Sequence, residues 1–254
     1  MSKHYELMQQ IEKDRKLAAA AGPAVAEQNG NGSHAPALEL SGNGASQWAS
    51  EEALRLVQQV FLQQVAEPPR VVVFAGVDHG NGCSHICAAV AETLATNEGG
   101  RVCLVEANFR SPALPAMFGV ANHFGLTEAL LRDAPIRSFA KPVYKDRLWL
   151  LSSGTLTVDS PNLLTSDNLR SRIAEMRKQF DFVIIDAPPL NPYSDAVALG
   201  QLSDGLVLVI EADSTRREAA SAATETLRSA KVPILAAVLN KRTFPIPEKI
   251  YSLL

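Results

Sequence analysis

The chain has 254 residues, 46% of them hydrophobic and 20% charged, with a formal net charge of −3. That balance leaves no electrostatic footprint for nucleic acid, and no apolar run reaches the ~20 residues that cross a bilayer. The N-terminus lacks a signal-peptide core, so Cys83, Cys87 and Cys103 are expected to be reduced thiols in a cytoplasm.

Taken in order, Tyr5, Met8 and Ile11 fall at helical spacing among charged residues and predict a short helix within residues 1–19. Such a helix is marginal alone, so its apolar stripe needs a partner. Residues 20–46 are dominated by Ala, Gly, Asn, Ser and Pro without periodicity and are expected to be a flexible linker. The folded domain is expected over residues 47–254. Its first helix is expected to be capped by Ser50, with Glu51 and Glu52 in the first turn. Ala53, Leu56, Val57 and Val60 form its inner face, and Pro68 and Pro69 stop it.

Strands and helices then alternate. Strands are predicted at 71–75, 101–105, 148–151, 182–185, 205–210 and 234–239, and helices at 84–97 and 166–180. A further helix is introduced by a Thr215/Glu218 capping box, with Ala219, Ala223, Leu227 and Ala230 inward. Near-continuous apolar strands separated by helices mean a doubly wound, mainly parallel sheet covered on both faces, a three-layer α/β/α domain.

The first strand breaks into a loop containing Gly80 and Gly82, and a helical pattern follows with Ile86, Val90 and Leu94 on one face. Strand, glycine loop and helix form a phosphate cradle, in which backbone N–H groups and a helix N-terminus converge on an anion. The full phosphate-loop pattern is G-x-x-x-x-G-K-[ST]. Here Val77 stands at the first Gly and Cys83 at the Lys, whereas Gly82 and Ser84 match. Ligands of such sheets bind beyond the carboxyl ends of the strands. The second strand delivers Glu106, Asn108 and Arg110 there, and the fourth delivers Asp186 before Ala187, Pro188 and Pro189. A hydroxyl at Ser84 with carboxylates at Asp186 and Glu106 suits Mg²⁺ beside a phosphate. Cys83, His85 and Cys87 raise a zinc reading. His85 points away from the face shared by the two thiols, however, and no fourth ligand lies at a recognised spacing, so spectator thiols are the better account.

The order of these motifs, the stretch Phe-Asp-Phe-Val-Ile-Ile-Asp-Ala-Pro-Pro at 180–189 and Asn-Phe-Arg-Ser-Pro at 108–112 resemble the bacterial tyrosine autokinases (BY-kinases) of capsule and exopolysaccharide synthesis. These belong to the deviant P-loop ATPases that include the ParA and MinD types. The resemblance implies a P-loop fold and an ATP–Mg²⁺ enzyme at the inner face of the membrane. It also implies a membrane-embedded chain-length or export protein as partner, and phosphorylation of tail tyrosines. Carried over residue by residue, it makes Gly80, Asn81, Gly82, Cys83, Ser84, His85 and Asn240 the nucleotide-binding set. Asp186, Glu106 and Arg110 become the catalytic set, with Ser84, Asp186 and Glu106 as metal ligands.

The departures are consistent in direction. Cys83 replaces Lys, and the family's Asp-x-Asp-x-Arg becomes Glu106, Asn108 and Arg110. The self-assembly pattern Glu-x-x-Arg-x-x-Arg retains Glu52 and Arg55 but ends in Gln58, which implies only a weak homo-oligomer. The tail carries one tyrosine, Tyr251. The expected function is therefore that of a tyrosine-autokinase-like partner whose phosphoryl transfer is weakened or lost. The alternatives are an active kinase with an unusual loop and a ParA/MinD-type ATPase switch.

Overall fold

The computed structural model describes residues 45–63, 66–98 and 100–242. The expected N-terminal helix, the linker up to residue 44 and Tyr251 lie outside the described residues. Helix α1 (Ala45–Val60) precedes β1 (Val71–Gly76), α2 (Cys83–Thr93) and β2 (Val102–Glu106). Two short helices, α3 (Leu114–Met117) and α4 (Leu126–Leu131), lead to β3 (Lys141–Tyr144) and β4 (Leu148–Leu151). The chain continues through α5 (Asp167–Gln179), β5 (Phe182–Asp186), α6 (Asp195–Gln201), β6 (Gly205–Glu211), α7 (Arg217–Ser229) and β7 (Ile234–Asn240).

The seven strands form one sheet in the order β3-β4-β2-β5-β1-β6-β7. Every neighbouring pair is parallel except the β3–β4 edge hairpin. The central strand β1 is buried at all six positions. Val71, Val73 and Ala75 enter one core with Ile173 and Met176 of α5 and Leu227 of α7. Val72 and Phe74 enter the other with Val57 of α1 and Val90 of α2. The period-2 alternation of a strand thus feeds both faces, giving the expected three layers.

Three local expectations are corrected. Helix α1 begins at Ala45, so Ser50 lies inside it rather than at its cap, and it ends at Val60, well before Pro68. Its expected inner face is nonetheless buried, from Leu56 at 9% exposure to Val57 at 0%. The Thr215/Glu218 box does not form: Arg216 holds the N-cap position of α7 without a side-chain bond, and the Thr215 hydroxyl instead accepts from the Glu211 amide at 3.0 Å. Helix α2 gives way at Leu94 to a wider π-type turn ending at Glu98. The small helices escaped the sequence reading because four to seven residues span at most two helical turns, and β3 escaped it because Lys141–Tyr144 is not an apolar run.

At the edge opposite the glycine loop, Asp204 locks the strand starts. Its Oδ2 accepts from the amides of Arg70 (2.7 Å) and Val71 (2.8 Å), and Arg177 pairs with it through both terminal nitrogens (3.0 and 2.8 Å). Asp204→Ala is therefore expected to cost about 2–3 kcal/mol in urea unfolding. Arg228→Ala, which breaks only the exposed pair with Glu225, should stay within ~0.5 kcal/mol.

Candidate nucleotide site

The loop between β1 and α2 is held from three sides. Asn81 is 3% exposed, and its side chain accepts from the Asp78 amide (2.8 Å) and donates to Glu211 (3.3 Å). Asn240, at the end of β7, donates its side-chain amide to the Asn81 carbonyl at 2.8 Å. Lys241 donates its ammonium to the Gly80 carbonyl at 2.6 Å and pairs with Glu211 at 3.2 Å. Gly80 and Gly82 have φ of 81° and 82°, the left-handed region that L side chains rarely occupy. A Cβ on Gly82 would also clash with the Asn240 side-chain nitrogen. These contacts fix the turn so that the first amides of α2, which have no intrahelical partner, face outward.

The resulting cleft has a volume of about 320 Å³ and is lined by Gly80, Gly82, Ser84, Asn108, Pro189 and Lys241, among others. That is the lower end of the range for small-molecule sites and suits a phosphate chain better than a whole nucleotide. His85 is exposed at its rim. A wider cleft beside Tyr193 brings no charged side chain with it.

Asp186 and Glu106 sit opposite each other in the β2–β5 register, both fully buried. Neither Asp186 oxygen has a hydrogen-bond partner of normal geometry. The Ser84 hydroxyl and the Cys83 and Cys87 thiols are the groups close enough to stabilise its charge, but burial outweighs them and raises its pKa. Glu106 is raised by burial first and by Asp186 second. Its oxygens accept from the amides of Ala113 (2.8 Å), Leu114 (2.8 Å) and Asn108 (3.2 Å), so it anchors the chain leading into α3. Asn108 closes a turn by accepting from the Ser111 amide at 3.2 Å.

Arg110 lies against Asp195 (3.0 Å), with its guanidinium carbon 3.8 Å from the Tyr193 ring centroid. That ring in turn meets His79 edge-on at 5.7 Å, so one aromatic ring separates Arg110 from the loop. Cys83 is held inward. The Cys87 thiol favours its thiolate, but burial and the two carboxylates prevail and push its pKa up to about 11. The structure thus gathers Gly80, Asn81, Gly82, Cys83, Ser84, His85, Asp186, Glu106 and Asn240 around one loop. Lys241, Tyr193 and Asp195 were missed by the sequence reading. Only Lys241 had a signal, its place directly after Asn240 at a strand end.

A glycine loop opening a helix at the carboxyl edge of a parallel sheet defines the class, a P-loop NTPase. A family model described as NUBPL iron-transfer P-loop NTPase (ParA) matches residues 69–251. The tyrosine-protein kinase YwqD of Bacillus subtilis (strain 168) is 30% identical over 191 residues, covering 75% of this chain and 80% of that protein. The succinoglycan biosynthesis transport protein ExoP of Rhizobium meliloti (strain 1021) is 33% identical over 145 residues, which are 56% of this chain and 18% of ExoP. The kinase domain of the Escherichia coli tyrosine kinase ETK shares the fold, with a TM-score of 0.71 at 22% identity over 78% of each chain. Within the P-loop NTPases, this chain belongs to the bacterial tyrosine-kinase family.

Two outcomes follow from the buried carboxyls. Because their pKa values are raised, the fold holds protons that the unfolded chain releases. That stability is fully present below about pH 4 and is lost as pH rises through the raised values. Asp186→Asn should therefore stabilise the ligand-free protein by about 1–3 kcal/mol at pH 8 and flatten its melting temperature between pH 5 and 8. Glu106→Asp, one methylene shorter, should lose the Ala113 and Leu114 amides and cost about 1–3 kcal/mol in the same unfolding assay.

Proposed function

We propose that this chain is a tyrosine-kinase-like P-loop protein of capsule or exopolysaccharide assembly in which phosphoryl transfer is weakened or lost. It acts as a regulatory partner of a membrane chain-length or export protein. The observation that carries this reading is Cys83. The position from which a lysine would reach the β- and γ-phosphates holds a short thiol turned toward Asp186.

The remaining donors fit ATP and Mg²⁺ in part. The amides at the start of α2 and the two left-handed glycines cradle phosphate, while the Ser84 hydroxyl and the unpartnered Asp186 carboxylate would hold Mg²⁺. Bound ATP–Mg²⁺ would supply the phosphoryl group and the cation that offsets its charge. Asn240 and Lys241 fix the loop's shape, and Glu106 fixes the segment beside it. Losing one charge-assisted bond, about 1.5–3 kcal/mol, weakens nucleotide binding by about tenfold to a few hundredfold. The loss to transfer is greater, because that charge acts on the developing transition state.

One observation favours an active enzyme: Lys241 brings an ammonium to the loop, 2.6 Å from the Gly80 carbonyl. Glu211 neutralises it at 3.2 Å, which supports the weakened reading.

The partner reading is supported by ExoP, a transport protein in which the matching stretch is a small part of a longer chain. Among the described residues, no helix is long and apolar enough to cross a membrane. A cytoplasmic chain held at the membrane through its partner accommodates both facts. Glu52 and Arg55 bond to each other at 3.0 Å on the exposed side of α1, leaving that face polar and suited to weak self-association. Residues 1–44 serve as the tethering segment.

Nucleotide titration with and without Mg²⁺ tests the reading. Cys83→Lys should gain at least about tenfold in affinity. The wild-type chain should incorporate negligible phosphate on tyrosine, and Tyr251 is the candidate acceptor should any appear. Robust wild-type incorporation, or no gain from Cys83→Lys, would overturn it. Removing residues 1–44 should leave the melting transition in place while weakening capture by the membrane partner. A large fall in melting temperature would show that they belong to the core.

A further inference from the structure

Three ligating side chains meet beneath the loop. Cys83 opens α2, Cys87 follows one turn later, and Asp186 arrives at the end of β5. The two sulfurs and a carboxylate oxygen all lie within 4.8 Å of one another. Tetrahedral Zn²⁺, with bonds of roughly 2.3 Å to sulfur and 2.0 Å to oxygen, holds its ligand atoms roughly 3.3–3.8 Å apart. Side-chain movements of about 1–1.5 Å would therefore close the cluster around an ion.

A second observation points the same way. Both Asp186 oxygens are buried without a hydrogen bond of normal geometry. The groups that face them are the Ser84 hydroxyl and the two thiols themselves, so the carboxylate is under-stabilised and open to a cation among those groups. Cys87 and Asp186 are wholly enclosed, whereas Cys83 is half-buried and lines the cleft, so an ion has a route in.

We propose that Cys83, Cys87 and Asp186 form a binding site for a soft divalent cation of the Zn²⁺ class. The fourth position opens toward the cleft, where water or the Ser84 hydroxyl completes a tetrahedron. Sulfur ligands select such an ion over Mg²⁺ or Ca²⁺, which take oxygen. Two thiolates and a carboxylate exceed the ion's charge by one, so the loaded site stays negative and does not replace the missing lysine. It also occupies Asp186. Occupancy should therefore oppose Mg²⁺–nucleotide binding above it. That consequence rests on the nucleotide reading, whereas the metal site does not.

The test uses Co²⁺ as a spectroscopic surrogate for Zn²⁺, titrated into the full chain under a non-thiol reductant. A single Co²⁺ should bind with the strong visible bands of a tetrahedral thiolate site, and Zn²⁺ should displace it. Cys83→Ser and Cys87→Ser should each weaken binding by at least about tenfold and reduce the sulfur charge-transfer band by about half. Cys103→Ser, in the buried strand β2 outside the cluster, should leave both unchanged. If circular dichroism shows that the serine variants fail to fold, alkylation of the wild-type chain decides: Zn²⁺ should protect Cys83 from iodoacetamide, as read by mass spectrometry. Weak octahedral bands, an unchanged spectrum in folded Cys83→Ser, or no protection of Cys83 would overturn the site. Intact Co²⁺ binding without competition from Mg²⁺–ADP would remove only the nucleotide consequence.

Discussion

The hydrogen-bonded register of β1, β5 and β2 is the constraint on which the site depends. Pairing Phe74 with Asp186 and Glu106 with Asp186 places two carboxyls at one level of the sheet, directly under the loop that leaves β1. A slip of one residue would turn each carboxyl to the opposite face. The register is fixed at the other end of the strands by Asp204, which gathers the starts of β1 and β6 with Arg177 of α5. Arg70 ties the same edge to β5 through the carbonyls of Phe180 (2.9 Å) and Asp181 (3.0 Å). A polar clamp at one edge thus sets the geometry of the chemistry at the other.

Positive charge around the loop is present but committed elsewhere. Arg110 is held by Asp195 and Tyr193, and Lys241 by Glu211 and the Gly80 carbonyl. Negative charge lies inside, on Asp186 and Glu106, with Cys83 and Cys87 directly above. In a lysine-bearing loop, an ammonium would balance the phosphates over that floor. Here the balance must come from protons on buried groups or from Mg²⁺. Raised pKa values of the two carboxyls and of Cys83 are the ligand-free protein's response.

Glu106 does structural work beside its electrostatic role. Its extra methylene relative to Asp lets the carboxylate reach the amides of Ala113 and Leu114, so it organises the segment leading to α3 as well as facing Asp186. Asn108 and Ser111 then shape one wall of the cleft. Glu106 and Asn108 are built into local hydrogen bonding, so changing either disturbs more than the chemistry.

Much of the protein was legible in the sequence, because its signals are local and repeated. Apolar runs of five to seven residues marked the central strands, 3.6-residue spacing marked the inner faces of α1 and α7, and the loop announced itself by Gly80, Gly82 and Ser84 between a strand and a helix. Cap positions were misplaced where a side chain had a competing partner, as Thr215 had in the Glu211 amide. What only the tertiary structure decided are the meetings between distant residues. The sequence brought Asp186 to the same end of the sheet as Ser84, but strand order is not written in any one segment, and only the fold shows the Cys83 and Cys87 thiols turned onto that carboxylate. The place of Lys241 after Asn240 put it at the right end of a strand but not on the Gly80 carbonyl, and no local pattern directed Arg110 to Tyr193. Side-chain periodicity is set within one element, whereas a site is set by the register between elements, and that register is fixed by packing and hydrogen bonds over the whole sheet.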